Sequence, residues 1–170
     1  MEQSVKTILV VDDDNSLSMM LKKVFEMNGW RCETADCGKS ALGLLALNNY
    51  DIMLTDIVMP GMDGFELTES AKRIRPDMIA IMMTGFSEYD SYDKAIASGA
   101  ADFVKKPFQL KELLVRIDRI ERDRRLIEEA HQREQAMQNI SREMIAGIQE
   151  ETRARIAAAE EKLLGIKGAG

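Results

Sequence analysis

Proline is scarce in this chain of 170 residues, which has only three. None lies between Phe108 and Ala146, and glycine is missing from that stretch too, so nothing in it interrupts a helix. Cysteine is nearly absent. Cys32 and Cys37 stand too close in sequence to brace a core and read as reduced packing or surface thiols. With a single histidine, His131, there is no further His or Cys to make them a metal or redox pair. No apolar run approaches the roughly 18 residues of a membrane span, and no charged-then-apolar leader opens the chain. A cytoplasmic location is therefore expected, with no membrane partner.

What is present suits a globular protein, with 45% hydrophobic and 31% charged residues. The length allows one ordinary domain plus an extension. The net charge of −6 is unevenly placed. Residues 1–110 hold 11 Lys+Arg against 17 Asp+Glu, whereas residues 111–170 hold 12 of each. An acidic body disfavours nonspecific nucleic-acid binding and tolerates cations. A charge-balanced tail reads as a solvated helix laced with ion pairs.

Along the chain, Thr7–Val11 is a short β-branched run of strand type, and Asp12-Asp13-Asp14-Asn15-Ser16 follows. Asp14 or Asn15 suits the cap of a helix whose apolar stripe is Leu17, Met20, Leu21, Val24 and Phe25. A second strand over Trp30–Ala35 and a helix over Ser40–Leu47 come next. A third strand starts at Ile52 and delivers Asp56, ahead of a turn on Pro60, Gly61 and Gly64 and a helix over Phe65–Ile74. Met78–Met83 forms the fourth strand, Glu88–Ala97 a helix, Asp102–Lys105 the fifth strand, and a strong helical stripe begins at Leu110. Five strands alternating with five helices is the pattern of a doubly wound parallel sheet, an α/β fold.

Such a sheet binds ligands at the carboxyl ends of its strands. Those ends carry Asp12 and Asp13, Asp56, Thr84 and Lys106. Asp56 alone could be a metal ligand, a nucleophile or a helix cap. Carboxylates gathered at one edge repel unless a cation sits among them, and all-oxygen ligands suit Mg²⁺. Asp56 can then act as a carboxylate nucleophile toward phosphorus. Lys106 would pair with the phosphoryl group as a point charge, and the Thr84 hydroxyl would donate to it. Taken singly, Thr84 is a turn hydroxyl, Phe103 a core residue and Lys105 a solvated charge. The twelve methionines read as core and loop filling.

Four motifs carry a resemblance: Val10-Val11-Asp12-Asp13-Asp14, Asp56-Ile-Val-Met-Pro60-Gly-Met-Asp-Gly64, Met83-Thr84-Gly85, and Gly99-Ala-Ala-Asp102-Phe-Val-Lys-Lys106-Pro107-Phe108. In this order and spacing, over roughly residues 5–122, the chain resembles the receiver domain of bacterial two-component response regulators, the CheY-like family. The resemblance implies a flavodoxin-like sheet of order 2-1-3-4-5. It implies that Asp56 is the phosphoacceptor and Asp13 a direct Mg²⁺ ligand. Asp12 would act largely through water, and the Val58 backbone carbonyl would complete the protein ligands. Lys106 rather than Lys105 matches the family lysine, because it immediately precedes the proline, and a cis bond joins it to Pro107. Thr84 is the implied switch hydroxyl, and Phe103 takes the switch-aromatic position without a hydroxyl. The implied phosphodonor is a sensor histidine kinase or phosphotransfer protein. Turnover of an external substrate is not expected, because Val58 stands where a phosphohydrolase would carry a second carboxylate. Phe86, two residues after Thr84, offers no polar group to position water, so self-dephosphorylation is expected to be slow.

The domains expected are a receiver over 1–122 and a helical or coiled-coil extension over 123–170. The stripe from Leu113 to Leu163 is an imperfect heptad pattern with a stutter. Gly147 reads as a weak point or a turn into an antiparallel helix pair, and Gly165 as a helix C-cap. Arg116, Arg119, Arg122, Arg124 and Arg125 are interleaved with Asp118, Glu121 and Asp123, which favours ion pairing over phosphate binding and makes nucleic acid an unexpected partner. Output through the helix, as a homodimer or with another partner, is the leading expectation. The alternatives are a constitutive coiled-coil scaffold, or a fragment of a longer regulator in which the helix links to an output domain.

Overall fold

The structure is a computed structural model that describes residues 5–85, 94 and 97–167. The expected helix over Glu88–Ala97 and the position of Phe86 lie largely outside the described residues.

Five strands form one parallel sheet of order β2-β1-β3-β4-β5. They are β1 (Thr7–Val11), β2 (Arg31–Ala35), β3 (Ile52–Asp56), β4 (Ile79–Thr84) and β5 (Asp102–Lys105). The described helices are α1 (Asn15–Met27), α2 (Gly38–Leu47), α3 (Gly64–Ile74) and the long α4 (Leu110–Lys167). Runs such as Ile-Leu-Val-Val become central strands because both faces of a parallel sheet are covered, and β3 and β4 are buried along their whole length.

Two side-chain sets divide the sheet. Leu9, Val11, Met53 and Ala80 pack with Ala41 and Leu45 of α2 and Leu67 and Ala71 of α3. The alternate residues, Ile8, Val10, Leu54, Ile81 and Met83, are fully buried as well, and so are Leu21 and Phe25 of α1. Truncating a residue such as Leu54 to alanine would cost about 2–5 kcal/mol.

Local chemistry sets the helix starts. Asp14 caps α1, its carboxylate accepting from the N–H groups of Ser16 (2.9 Å) and Leu17 (3.2 Å). Asp63 and Glu66 form a capping box that opens α3. No side chain caps α2 at Cys37. The α1–β2 connection turns at Gly29, whose φ of +79° favours glycine. Cys32 is buried, and desolvation pushes its thiol up to about 12, so it stays protonated and unreactive.

The chain divides into two compact units, one ending at Val115 and one beginning at Arg116. Two expectations for the tail need correction. Helix α4 continues through Gly147 without a turn, and it passes Gly165 to end at Lys167. One glycine among strong helix formers costs only about 1 kcal/mol, less than the neighbouring turns of helix contribute. Among the described residues no helix is long and apolar enough to cross a membrane.

Candidate functional site

Parallel strands all point their carboxyl ends to one edge, so β1, β3, β4 and β5 deliver their following residues to the same place. Asp12 directly follows β1, and Asp56 is the last residue of β3. Asp12 is buried, with 1% of its surface exposed. Three contacts hold it there. Its N–H donates to the Ala35 carbonyl (3.1 Å), its Oδ1 accepts from the Asp14 N–H (2.9 Å), and its carbonyl accepts from the buried Ser18 hydroxyl (3.3 Å).

Asp56 is also buried. The Thr55 hydroxyl donates to its carbonyl at 3.0 Å, and the Val58 N–H donates weakly to its Oδ1 at 3.4 Å. The loop beyond it is tied twice: Ile57 N–H donates to the Met83 carbonyl and Gly64 N–H to the Ile57 carbonyl, each at 2.9 Å. Gly64 has no substitute at this point. A Cβ there would lie 2.3 Å from the Asp56 carbonyl oxygen and 2.8 Å from the Ile57 Cα.

Lys106 closes the arrangement. Its N–H donates to the Thr84 carbonyl (2.6 Å), and a cis peptide joins it to Pro107. Its Nζ donates to Asp12 Oδ2 at 2.6 Å and to Asp56 Oδ2 at 2.8 Å, which links residues far apart in the chain. Burial opposes the Lys106 ammonium and is the largest single influence on it. The hydrogen bonds and charges of Asp12 and Asp56 together outweigh that, and its pKa lies above the ordinary lysine value. The charge is thus kept throughout the neutral range. Lys105, one residue earlier, is exposed.

Asp13 is exposed at the rim, and carboxylate oxygens of Asp12, Asp13 and Asp56 all lie within 4.8 Å of one another. Three carboxylates face one ammonium, an excess of negative charge that a second cation would relieve. The donors are hard oxygens, and exposed Asp13 and Val58 leave the site open to water, which meets the demands of Mg²⁺.

Thr84 ends β4 and is buried. It follows Met83, the residue paired with Asp56 across the β3–β4 ladder. Phe103 is half-buried on β5 and packs, with Phe65 and Ala100, against Ile57 and Met82. The structure thus brings Asp12, Asp13, Asp56 and Lys106 into one cluster. It sets Thr84 and Phe103 on neighbouring strands and leaves the Val58 side chain outside, exposed.

The sequence pattern that defines the response regulator receiver domain matches residues 8–118. The chain belongs to the response regulator receiver domain family. The receiver is 37% identical over 112 residues to the DNA-binding transcriptional regulator NtrC of Salmonella typhimurium, a stretch covering 66% of this chain and 24% of NtrC. It is 35% identical over 113 residues to the response regulator SaeR of Staphylococcus aureus, covering 66% of this chain and 49% of SaeR. The chain therefore aligns with less than two thirds of either relative. In structure it is similar to a CheY-like response regulator receiver domain protein from Methanospirillum hungatei. The TM-score is 0.68 at 31% identity, over 72% of this chain and 98% of that one. Receiver domains act as phosphoryl-accepting switches rather than as enzymes that turn over an external substrate.

Sequence reasoning did not single out Gly64 or Ser18 as site residues. Gly64 carried a signal, since glycine at the first position of a helix is poor in propensity and calls for a steric reason. Ser18 carried none, because its hydroxyl meets Asp12 only through the curvature of the loop between them.

Proposed function

We propose that this chain is a phosphorylation-switched signalling protein of the cytoplasm. Residues 1–122 would serve as the receiver and residues 123–170 as the helical output. Asp56 accepts a phosphoryl group from a sensor histidine kinase or a phosphotransfer protein. One Asp56 carboxylate oxygen forms the O–P bond while the P–N bond of a phosphohistidine breaks, and the departing imidazole nitrogen takes up a proton.

The observation that carries this reading is the Lys106 ammonium 2.8 Å from Asp56 Oδ2, within a cluster of three carboxylates. Lys106 stands where it can follow the charge from the carboxylate to the phosphoryl oxygens. Asp12, Asp13, Asp56 and the Val58 carbonyl would hold Mg²⁺, which would supply charge neutralisation for the transferring group. Thr84 donates its hydroxyl to a phosphoryl oxygen, and the half-buried Phe103 ring moves inward as Thr84 moves. Strand β5 and the Thr84 carbonyl bond to Lys106 connect these residues. Asp14 stays a helix cap.

The output in this reading is association through α4, where Leu126, Met137, Ile140, Met144 and Ile148 are each more than half exposed. The test uses a small phosphodonor with Mg²⁺, scoring acid-stable, base-labile phosphate and, by light scattering, the mass before and after. Labelling that disappears in Asp56→Asn, with a change in mass on labelling, is the expected result. Label that persists in Asp56→Asn would sink the assignment. Normal labelling with unchanged mass and partner binding would instead make α4 a constitutive scaffold.

A further inference from the structure

The apolar residues of α4 from Leu126 onward stand exposed in the described chain, unlike the buried Leu113 and Ile117, and their spacing says what would cover them. Counting heptads from Leu126 at position d, the a and d positions run unbroken to Ala158, roughly five heptads. Most of these residues are apolar or small, and all are exposed. Two are charged: Arg133 at d and Glu151 at a.

In a parallel, in-register pair each a or d residue meets its own copy. Arg133 would then face Arg133 and Glu151 would face Glu151. Gly147 would face Gly147 and leave a void. In an antiparallel pair a residues meet d residues instead. With the two-fold axis at Arg142, Arg133 of one copy lies opposite Glu151 of the other, and the symmetry makes this pair twice. The same register sets Met137 against Gly147 and Leu126 against Ala158, large against small in each case. Ile140 meets Met144 next to the axis.

Gly147 supplies a second observation. A Cβ there would meet nothing within 4 Å, so no contact inside one copy calls for glycine. Glycine within a helix is a cost that the fold of a single chain does not explain. Opposite Met137 of a second copy, it makes room for the longer side chain. Among the described residues of one copy, the ion pair of Arg133 is a loose, exposed one with Glu129 at 3.9 Å, which leaves it available to Glu151. The one like-charge pair, Glu143 against Glu143 beside the axis, falls at a rim position open to water, where it is screened.

We infer that the face of α4 from Leu126 to Ala158 docks a second copy of this chain in antiparallel orientation, with Arg133 paired to Glu151 across the contact. This rests on the reading that α4 mediates association, and it adds orientation and register. Charge reversal in the full-length chain tests it. Arg133→Glu and Glu151→Arg should each weaken self-association by about tenfold or more, and the double variant should restore it, because only an antiparallel pair sets the two positions against each other. A parallel dimer would keep like against like in every variant and show no such pattern.

Cysteine placement gives an independent readout. In a Cys37→Ser background, Ala130→Cys mixed with Ala154→Cys should form a mixed disulfide under mild oxidation. Neither variant alone should cross-link with itself. Self-cross-linking of Ala130→Cys in a dimer indifferent to charge reversal overturns the antiparallel register and leaves association through α4 standing. A monomer by sedimentation at every concentration, with and without phosphodonor, overturns both.

Discussion

The unit ending at Val115 and, within the unit beginning at Arg116, the residues from Leu126 onward treat apolar side chains in opposite ways. In the first, Ile8, Leu9, Leu54 and Met82 are wholly buried, and charge is gathered at one sheet edge. In the second, Leu126, Met137, Ile140 and Met144 stand more than half exposed, and charge is spread along the helix. The difference shows that a heptad-like stripe specifies a helix before it specifies a partner. Helices packed on the sheet cover its hydrophobic faces, whereas a lone helix leaves its stripe for something else to cover.

Gly64→Ala gives the largest expected effect in the first unit. The added carbon cannot sit 2.3 Å from the Asp56 carbonyl oxygen, so the β3–α3 loop must shift. A loss of about 1–3 kcal/mol by urea unfolding is expected, along with a clear fall in phosphodonor labelling. Normal stability and normal labelling would show that the loop adapts freely. Gly147→Ala, by contrast, should not lower the helicity of α4, since nothing lies near it within one copy.

An intermediate effect is expected from Asp13→Asn. Removing one carboxylate from the cluster should raise stability without divalent cations by about 1 kcal/mol while leaving both Lys106 contacts in place. It should also abolish most of the stabilisation that Mg²⁺ confers on the parent, measured as the rise in Tm on titrating the ion. A variant that Mg²⁺ still stabilises fully would remove Asp13 from the ligand set.

The smallest effect on folding should come from α4. Met144→Ser or Ile140→Ser changes an exposed position, so the unfolding of the sheet should stay within about 0.5 kcal/mol of the parent while self-association falls. A cooperative loss of sheet stability would show that the two units are more tightly linked than their burial patterns indicate.

Most of the fold was legible in the sequence. The strands over Thr7–Val11 and Asp102–Lys105 stand at the expected bounds, and the remaining strand boundaries differ by no more than two residues. Helix α2 begins at Gly38 rather than Ser40, because it starts without a side-chain cap that could have marked it. The candidate site was legible as a set of residue types at strand ends, and the four motifs named its members. The close approach of Gly64 to Asp56 was not legible, because a steric limit of this kind arises only when loop and strand are folded together.

The sequence by itself determined the alternation of elements, narrowed the α1 cap to Asp14 or Asn15, and set the long helical periodicity after Leu110. These depend on neighbours within a few residues, where propensity and hydrogen-bonding chemistry act directly. Only the tertiary structure decided that the Lys106 ammonium bridges Asp12 and Asp56, and that α4 passes unbroken through Gly147. The bridge joins groups distant in the chain, and its distances are set by the strand order of the sheet. The continuity of α4 is a balance between one poor residue and many good ones, which only the folded helix settles.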